Sequence, residues 1–199
     1  MKLDIILSGV GGQGILSIAA VIGEAALAEG LNIKQAEVHG MSQRGGDVQS
    51  NLRISSRPVA SDLIARGTAD AIISLEPMEA LRYLPYLSKK GWVVTNTAPL
   101  VNIPDYPERG DLLAHLGSVG NVIMLDADEI ARENSVSRAA NMVLLGAAAP
   151  VLGLEYEQLQ EGIRRIFGRK GRGIVDMNLK ALAAGCDAAQ AILKDKKDE

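Results

Sequence analysis

The stretch Gly9-Val10-Gly11-Gly12-Gln13-Gly14 decides the fold. Residues 3–7 before it and residues 15–27 after it are mostly apolar. The order strand, glycine turn, helix follows. Gly9, Gly11 and Gly14 stand at the G-x-G-x-x-G spacing. Glycines admit positive φ and leave room for a ligand or a second backbone. The unpaired N–H groups at the start of the next helix favour an anion there. Gln13 adds an amide that both donates and accepts. Two readings stay open on the motif alone: a seat for a phosphate-like group, or a tight α/β corner with nothing bound.

Outward from that turn, residues 2–8 read as the first strand and residues 14–28 as a helix with Gly30 at its C-cap. Residues 31–38 form a second strand. A polar loop follows, His39-Gly40-Met41-Ser42-Gln43-Arg44-Gly45-Gly46. Residues 47–54 alternate and read as a half-buried strand, which the short connection allows to run antiparallel to its neighbour. Residues 71–75 form a strand, and Glu76-Pro77 opens a helix with apolar positions at Met78, Leu81, Leu84 and Leu87, ended by Gly91. Residues 92–95 and 122–125 are further strands. Asn96 and Thr97 fall at a strand's carboxyl end, and Asp126 or Asp128 caps the next helix. From residue 136 the chain turns helical, over 139–152, 156–167 and 178–193. The predicted architecture is α/β: three α/β/α layers around a mostly parallel, Rossmann-like sheet that admits one reversed strand. Residues 1–193 read as a single domain and residues 194–199 as a charged tail.

Apolar residues make up 47% and aromatic ones 3% of the 199 residues, so the core is built from Ile, Leu, Val, Ala and Met with many small residues. The net charge of −3 gives no electrostatic basis for general nucleic-acid binding. The single cysteine, Cys186, allows no internal disulfide and no iron–sulfur cluster held by several cysteines of this chain. His39, His115 and Cys186 offer no metal-ligand spacing. No apolar run reaches the ~18 residues needed to span a membrane, so the expected location is the cytoplasm.

Glu37 follows Gly14 at about the 20-residue spacing of a ribose-binding acid, which supports an NAD(P) or FAD site, yet no hydride-transfer partner accompanies it. Arg44, on a glycine-flanked loop, can grip a phosphate or carboxylate bidentately, and it lies beside the turn if the first two strands pair. His39 is an acid–base candidate or a structural loop histidine. Asn96 and Thr97 occupy the position where open α/β sheets hold ligands. Asn141 is a lone amide in an apolar helix, internal or facing a partner. Arg164, Arg165, Arg169, Lys170 and Arg172 form a basic cluster, either a solvated face or a seat for an acidic partner. No G-x-S-x-G elbow and no Gly-Lys-Ser/Thr phosphate loop occurs.

The two motifs together, Gly9 through Gly14 and the loop His39-Gly40-Met41-Ser42-Gln43-Arg44-Gly45-Gly46, resemble the gamma domain of the 2-oxoacid:ferredoxin oxidoreductases. Arg53-Ile54-Ser55 and Val94-Thr95-Asn96-Thr97 are also similar to that family. The His-Gly-Met-Ser-Gln version of the loop resembles the indolepyruvate branch; pyruvate-type members more often carry tyrosine-glycine-proline-glutamate there. The resemblance implies a subunit of a complex that oxidatively decarboxylates arylpyruvates with coenzyme A and reduces ferredoxin. It implies that thiamine diphosphate, magnesium and iron–sulfur clusters reside on a larger alpha subunit, and that this chain carries no catalytic residue, metal or cofactor of its own. It implies coenzyme A contacts at Gly11, Gly12, Gln13, Gly14 and Arg44; Gly9 from the turn, and Asn96 and Thr97 from the strand end, complete the expected cofactor-binding set. It further implies a partner-facing substrate entrance at His39, Ser42, Gln43, Gly45 and Gly46.

Overall fold

The computed structural model describes residues 1–40 and 45–198. Met41, Ser42, Gln43 and Arg44 therefore lie outside the described residues. Strands β1 (Lys2–Val10), β2 (Asn32–His39), β3 (Asp47–Ser55), β4 (Ala69–Ser74), β5 (Leu87–Asn96) and β6 (Val122–Leu125) form one sheet in the order β2-β3-β1-β4-β5-β6. β1, β4, β5 and β6 run parallel, whereas β3 is antiparallel to both β1 and β2. The sheet is thus mixed. The first two strands do not pair, because β3 lies between them, and it is Gly46, just before β3, that meets the glycine turn.

The helices are α1 (Ile15–Ala28), α2 (Pro77–Tyr83), α3 (Arg109–Gly117), α4 (Ala127–Glu133), α5 (Ala140–Leu152), α6 (Tyr156–Phe167) and α7 (Arg172–Asp198). Side chains alternate along β1 to serve both faces. Leu3, Ile5 and Leu7 join the larger core with α1, α5, α6 and α7, while Ile6 joins Ala80, Tyr83 and Leu116 from α2 and α3. Burial on both faces explains why β1 reads as an apolar run rather than an alternation. The three layers carry an added tier on one side: α6 packs along α1, and α7 packs along α5. Gly146 and Gly185 make the second contact possible. A Cβ on Gly146 would lie 2.0 Å from the Leu182 carbonyl oxygen, and one on Gly185 would lie 1.8 Å from that of Val143.

Several boundaries differ from the periodicity. Gly9 lies within β1, paired with Val48. α2 stops at Tyr83, a single 3-10 turn covers Leu84–Tyr86, and β5 starts at Leu87. Gly91 is therefore a strand residue at a register shift, where a Cβ would meet the Ala69 carbonyl oxygen at 2.7 Å. α7 begins at Arg172 and continues beyond residue 193, where Lys196 Nζ donates to the Val122 carbonyl at 2.9 Å. Lysines near a helix C-terminus suit its dipole and favour this extension. α1 closes as read: Gly30 N–H donates to Leu27 O and Leu31 N–H to Ala26 O, the paired bonds of a Schellman cap.

Candidate functional site at the carboxyl edge of the sheet

The ends of β1, β2, β4, β5 and β6 and the start of β3 share one edge. There the chain leaves β1 through Gly11 and Gly12 and enters α1 at Gly14. Gly12 (φ 101°) and Gly14 (φ 92°) adopt the conformations that only glycine takes readily. The turn is held from inside. Gln13 Oε1 accepts from Val10 N–H at 2.7 Å, and Gln13 Nε2 donates to the Leu75 carbonyl at 3.1 Å, so one amide ties the end of β1 to the end of β4. Asn141, on α5, donates to the Gly14 carbonyl at 3.2 Å and would lie 2.5 Å from any Cβ added there. Its role is therefore internal. α1 carries no side-chain cap and no acid in its first turn, which leaves N–H donors directed to the edge.

On the α1 side of the edge lies a pocket of about 330 Å³. The turn and Ile15 and Leu16 form one wall, and Glu37, His39 and Val48 the other. His39 is exposed, and its Nδ1–H donates to the Gly40 carbonyl at 2.9 Å. Glu37 thus reaches the same pocket as the turn. The strand order, however, is not that of a dinucleotide fold, in which the second strand adjoins the first.

The stem that leads into β3, Gly45 to Asp47, is fixed at three successive residues. Asn102 Nδ2 donates to the Gly45 carbonyl at 2.6 Å, Gly11 N–H to that of Gly46 at 2.9 Å, and Tyr83 OH to Asp47 Oδ2 at 2.7 Å. Of the residues read from sequence, the structure brings Gly9, Gly11, Gly12, Gln13, Gly14, His39, Gly45 and Gly46 together. Asn96 is adjacent but spent. Only 3% exposed, it donates to Asp128 Oδ2 at 2.8 Å and Leu75 O at 3.4 Å, and accepts from Ala127 N–H at 3.0 Å and Ala98 N–H at 3.3 Å. No polar atom of its amide is left for a ligand. Asp126 is the helix cap, accepting from Glu129 N–H at 2.8 Å. Thr97 accepts from Arg109 through its carbonyl and its hydroxyl. In the basic cluster, Arg164 and Arg165 pair with Glu161, and Arg172 with Asp176.

A carboxylate group on the α2 side escaped the sequence reading. Glu76 is fully buried and caps α2 by accepting from Glu79 N–H at 2.9 Å; it also accepts from Tyr106 OH and from Leu100 N–H at 3.3 Å. Glu79, also buried, pairs with Arg82 at 2.7 Å and faces Asp47. Burial is the largest cause that raises its carboxyl pKa; Arg82 opposes the rise, Asp47 adds to it, and the result is about 7. The signal in sequence was Glu76-Pro77-Met78-Glu79, an acid, a first-turn proline and an acid at the third helical position, but nothing local announced the burial.

The raised pKa has a consequence for stability. The folded chain holds the Glu79 proton more tightly than an unfolded glutamate, which titrates at about 4.3. Between about pH 4.3 and 7 the unfolded state ionises first, so this group's contribution falls as pH rises and levels off above about 7. A Glu79→Gln variant lacks that slope. Its melting temperature relative to the native chain is expected to rise from about pH 5 to pH 8; a constant difference would contradict the raised Glu79 pKa.

A family model described as "Pyruvate ferredoxin/flavodoxin oxidoreductase" matches residues 4–188. The chain belongs to that family. It is 39% identical over 198 residues to indolepyruvate oxidoreductase subunit IorB of Archaeoglobus fulgidus, covering 95% of this chain and 96% of that one. It is 32% identical to ketoisovalerate oxidoreductase subunit VorA of Methanothermobacter marburgensis, where it spans 94% of this chain but 37% of that protein. A keto/oxoacid ferredoxin oxidoreductase gamma subunit from Geobacter sulfurreducens has the same fold, with a TM-score of 0.70, 25% identity, and coverage of 95% and 99% of the two chains. The relatives are thus subunits of oxidoreductase complexes. Among the described residues no helix is long and apolar enough to cross a membrane.

Proposed function

We propose that this chain is the subunit without cofactors of an indolepyruvate (arylpyruvate):ferredoxin oxidoreductase. The complex converts an arylpyruvate and coenzyme A to the aryl-acetyl-CoA and carbon dioxide and passes the electrons to ferredoxin, in the cytoplasm. The observation that carries this reading is the near-full-length similarity to an indolepyruvate oxidoreductase subunit. Residues 1–193 form one gamma-type domain, and the larger alpha subunit holds thiamine diphosphate, magnesium and the iron–sulfur clusters. Thiamine diphosphate supplies the electron sink for decarboxylation. The residues of this chain do not fit those groups. Its one cysteine is buried Cys186, whose thiol pKa is pushed up by burial, and no group of three or more metal-binding side chains occurs among the described residues.

What the chain supplies is a wall. Gly12 and Gly14 present backbone N–H groups beside an uncapped helix start, which favours a phosphate of coenzyme A, while Gly11 gives its N–H to the Gly46 carbonyl and shapes the turn. Arg44 adds a guanidinium from the loop whose stem is fixed at Gly45 and Gly46. Ser42, Gln43 and His39 form the substrate entrance with the partner. Gly9, Gln13 and Asn96 act by holding the turn and the adjacent strand ends, and Thr97 by anchoring Arg109.

The test is co-purification and kinetics. The chain is expected to bring down a larger subunit containing thiamine diphosphate with brown iron–sulfur colour, and to reduce neither ferredoxin nor a viologen dye with indolepyruvate when alone. Activity of the isolated chain would refute the reading. In the reconstituted complex, Arg44→Ala should raise the KM for coenzyme A about tenfold with normal assembly, the equivalent of roughly one charge-assisted contact. Unchanged kinetics would remove Arg44 from the coenzyme A site.

A further inference from the structure

Monomeric proteins seldom cluster large exposed apolar side chains without a binding role. Among the described residues, the exposed ones at the carboxyl edge are Leu16 (50%), Val38 (55%), Val101 (67%) and Ile103 (43%). All four stand around one feature, the Gly45–Asp47 stem. Leu16 follows the glycine turn, whose Gly11 N–H holds the Gly46 carbonyl. Val38 is paired with Gln49, two residues beyond Asp47. Val101 and Ile103 flank Asn102, which holds the Gly45 carbonyl. The remaining exposed ones, Met1, Leu27, Leu63 and Ile174, lie on four unrelated segments. The apolar ring borders the edge from both faces of the sheet: Leu16 lines the 330 Å³ pocket with Glu37 and His39, and alternation along β2 turns Val38 to the other face.

We infer that this edge is the docking face for the larger subunit of the complex, with Leu16, Val38, Val101 and Ile103 as its apolar centre. The inference rests on the chain being such a subunit. The occupant follows from the domain's two covalent settings. In the VorA relative the same domain is 37% of a longer chain, joined to the remainder. Here it spans 96% of a relative that is a subunit by itself. A surface served by a covalent neighbour in one case needs affinity of its own in the other. An apolar centre with a polar rim, here Glu37, His39 and Asp47, is how such faces are built. A stable interface covers roughly 800 Å² on each partner, so the ring forms its centre and the turn, the stem and the end of β2 its margin.

The test co-expresses the chain with its tagged larger subunit and measures their affinity by titration of the purified partners. The Leu16→Glu, Val101→Lys double variant should bind at least tenfold more weakly, with native circular dichroism. Leu27→Glu, equally exposed at the far end of α1, should bind like the native chain. Val101→Lys alone lies in a loop, folds independently of helix packing, and should weaken binding in the same direction. Native-strength binding by both edge variants would overturn the docking face while leaving the subunit assignment intact. Failure of the native chain to bind any thiamine diphosphate subunit would overturn both. If the native chain alone formed a dimer that the double variant abolished, the face would belong to a second copy, and the inference would fall.

Discussion

Gly185→Ala is expected to lower stability by about 3 kcal/mol, at the upper end of what overpacking costs. The added methyl would lie 1.8 Å from the Val143 carbonyl oxygen, 2.7 Å from its carbon and 3.0 Å from the Ala147 nitrogen. These are backbone atoms of a helix, so no rotamer change relieves the overlap, and α5 and α7 must move apart. Separation exposes the flanking apolar side chains on both helices, such as Val143 and Leu182, and opens voids between them. In a domain of this size about 3 kcal/mol corresponds to a melting temperature lower by roughly 6–12 °C. Gly146→Ala meets the Leu182 carbonyl oxygen at 2.0 Å from the other side and should cost a similar amount. The double variant should lose less than the sum, because the first methyl already parts the helices. Gly173→Ala is the contrast. It lies in the first turn of α7 with no atom within 4 Å of the added carbon, and should gain roughly 0.5–1 kcal/mol through reduced unfolded-chain entropy. Thermal unfolding followed by circular dichroism decides the matter; a Gly185→Ala midpoint within about 2 °C of native would show that the helix contact is not tight.

Gln13→Leu ranks second and acts on both fold and site. Its amide satisfies the Val10 N–H and the Leu75 carbonyl at once. Leucine has similar bulk and satisfies neither, so two backbone groups at the edge of the core lose their partners. A backbone polar group stranded in this way costs roughly 1–3 kcal/mol, less where water reaches it. The net loss expected for this half-buried residue is about 2 kcal/mol, or a midpoint lower by roughly 4–8 °C. The turn that Gln13 closes also carries the Gly11 N–H that holds the loop stem. The reconstituted complex should therefore show a KM for coenzyme A raised about tenfold, beyond what a purely structural variant such as Gly185→Ala produces at a temperature where both are folded. Gln13→Glu keeps the acceptor for Val10 N–H but sets a carboxylate against the Leu75 carbonyl, and should fall between native and leucine in stability. Native-like KM with lowered stability in Gln13→Leu would confine the amide to a folding role.

Much of the architecture was legible in the chain. The glycine turn after β1, the amphipathic stripe of α6 and the Gly30 cap of α1 all lie where periodicity and capping chemistry placed them. The element ends around Leu84–Tyr86 were not legible. Leu81, Leu84 and Leu87 keep a helical spacing across a segment that in fact turns from helix to strand. A three- or four-residue period in leucines does not distinguish a continuing helix from a turn followed by a bulged strand when both bury the same face. At the site, the glycines were legible because their freedom is a property of the residue. The uses of the amides were not: Gln13 and Asn96 read as polar side chains at ligand positions, and Asn141 as either internal or facing a partner. Their hydrogen bonds show three internal braces between segments far apart in the chain.

The sequence by itself determined the strand–turn–helix opening, the aliphatic small-residue core, the absence of a multi-cysteine cluster from this chain and the kinship with ferredoxin-linked oxidoreductases. These depend on residue type and on spacing over a few positions. Only the tertiary structure decided that β3 lies between β1 and β2, that α5 and α7 touch backbone to backbone, and that Glu79 meets Asp47 in a buried setting. Strand order is set by which long-range hydrogen-bond ladder and which buried face win over the whole chain, and a carboxyl group's charge by the solvent and neighbours left to it. Both are properties of the packed molecule. The turn at Gly11 to Gly14 belongs to both accounts: its glycines announce the corner, and the packing of Gln13, Asn141 and Gly46 around it makes that corner one wall of the pocket.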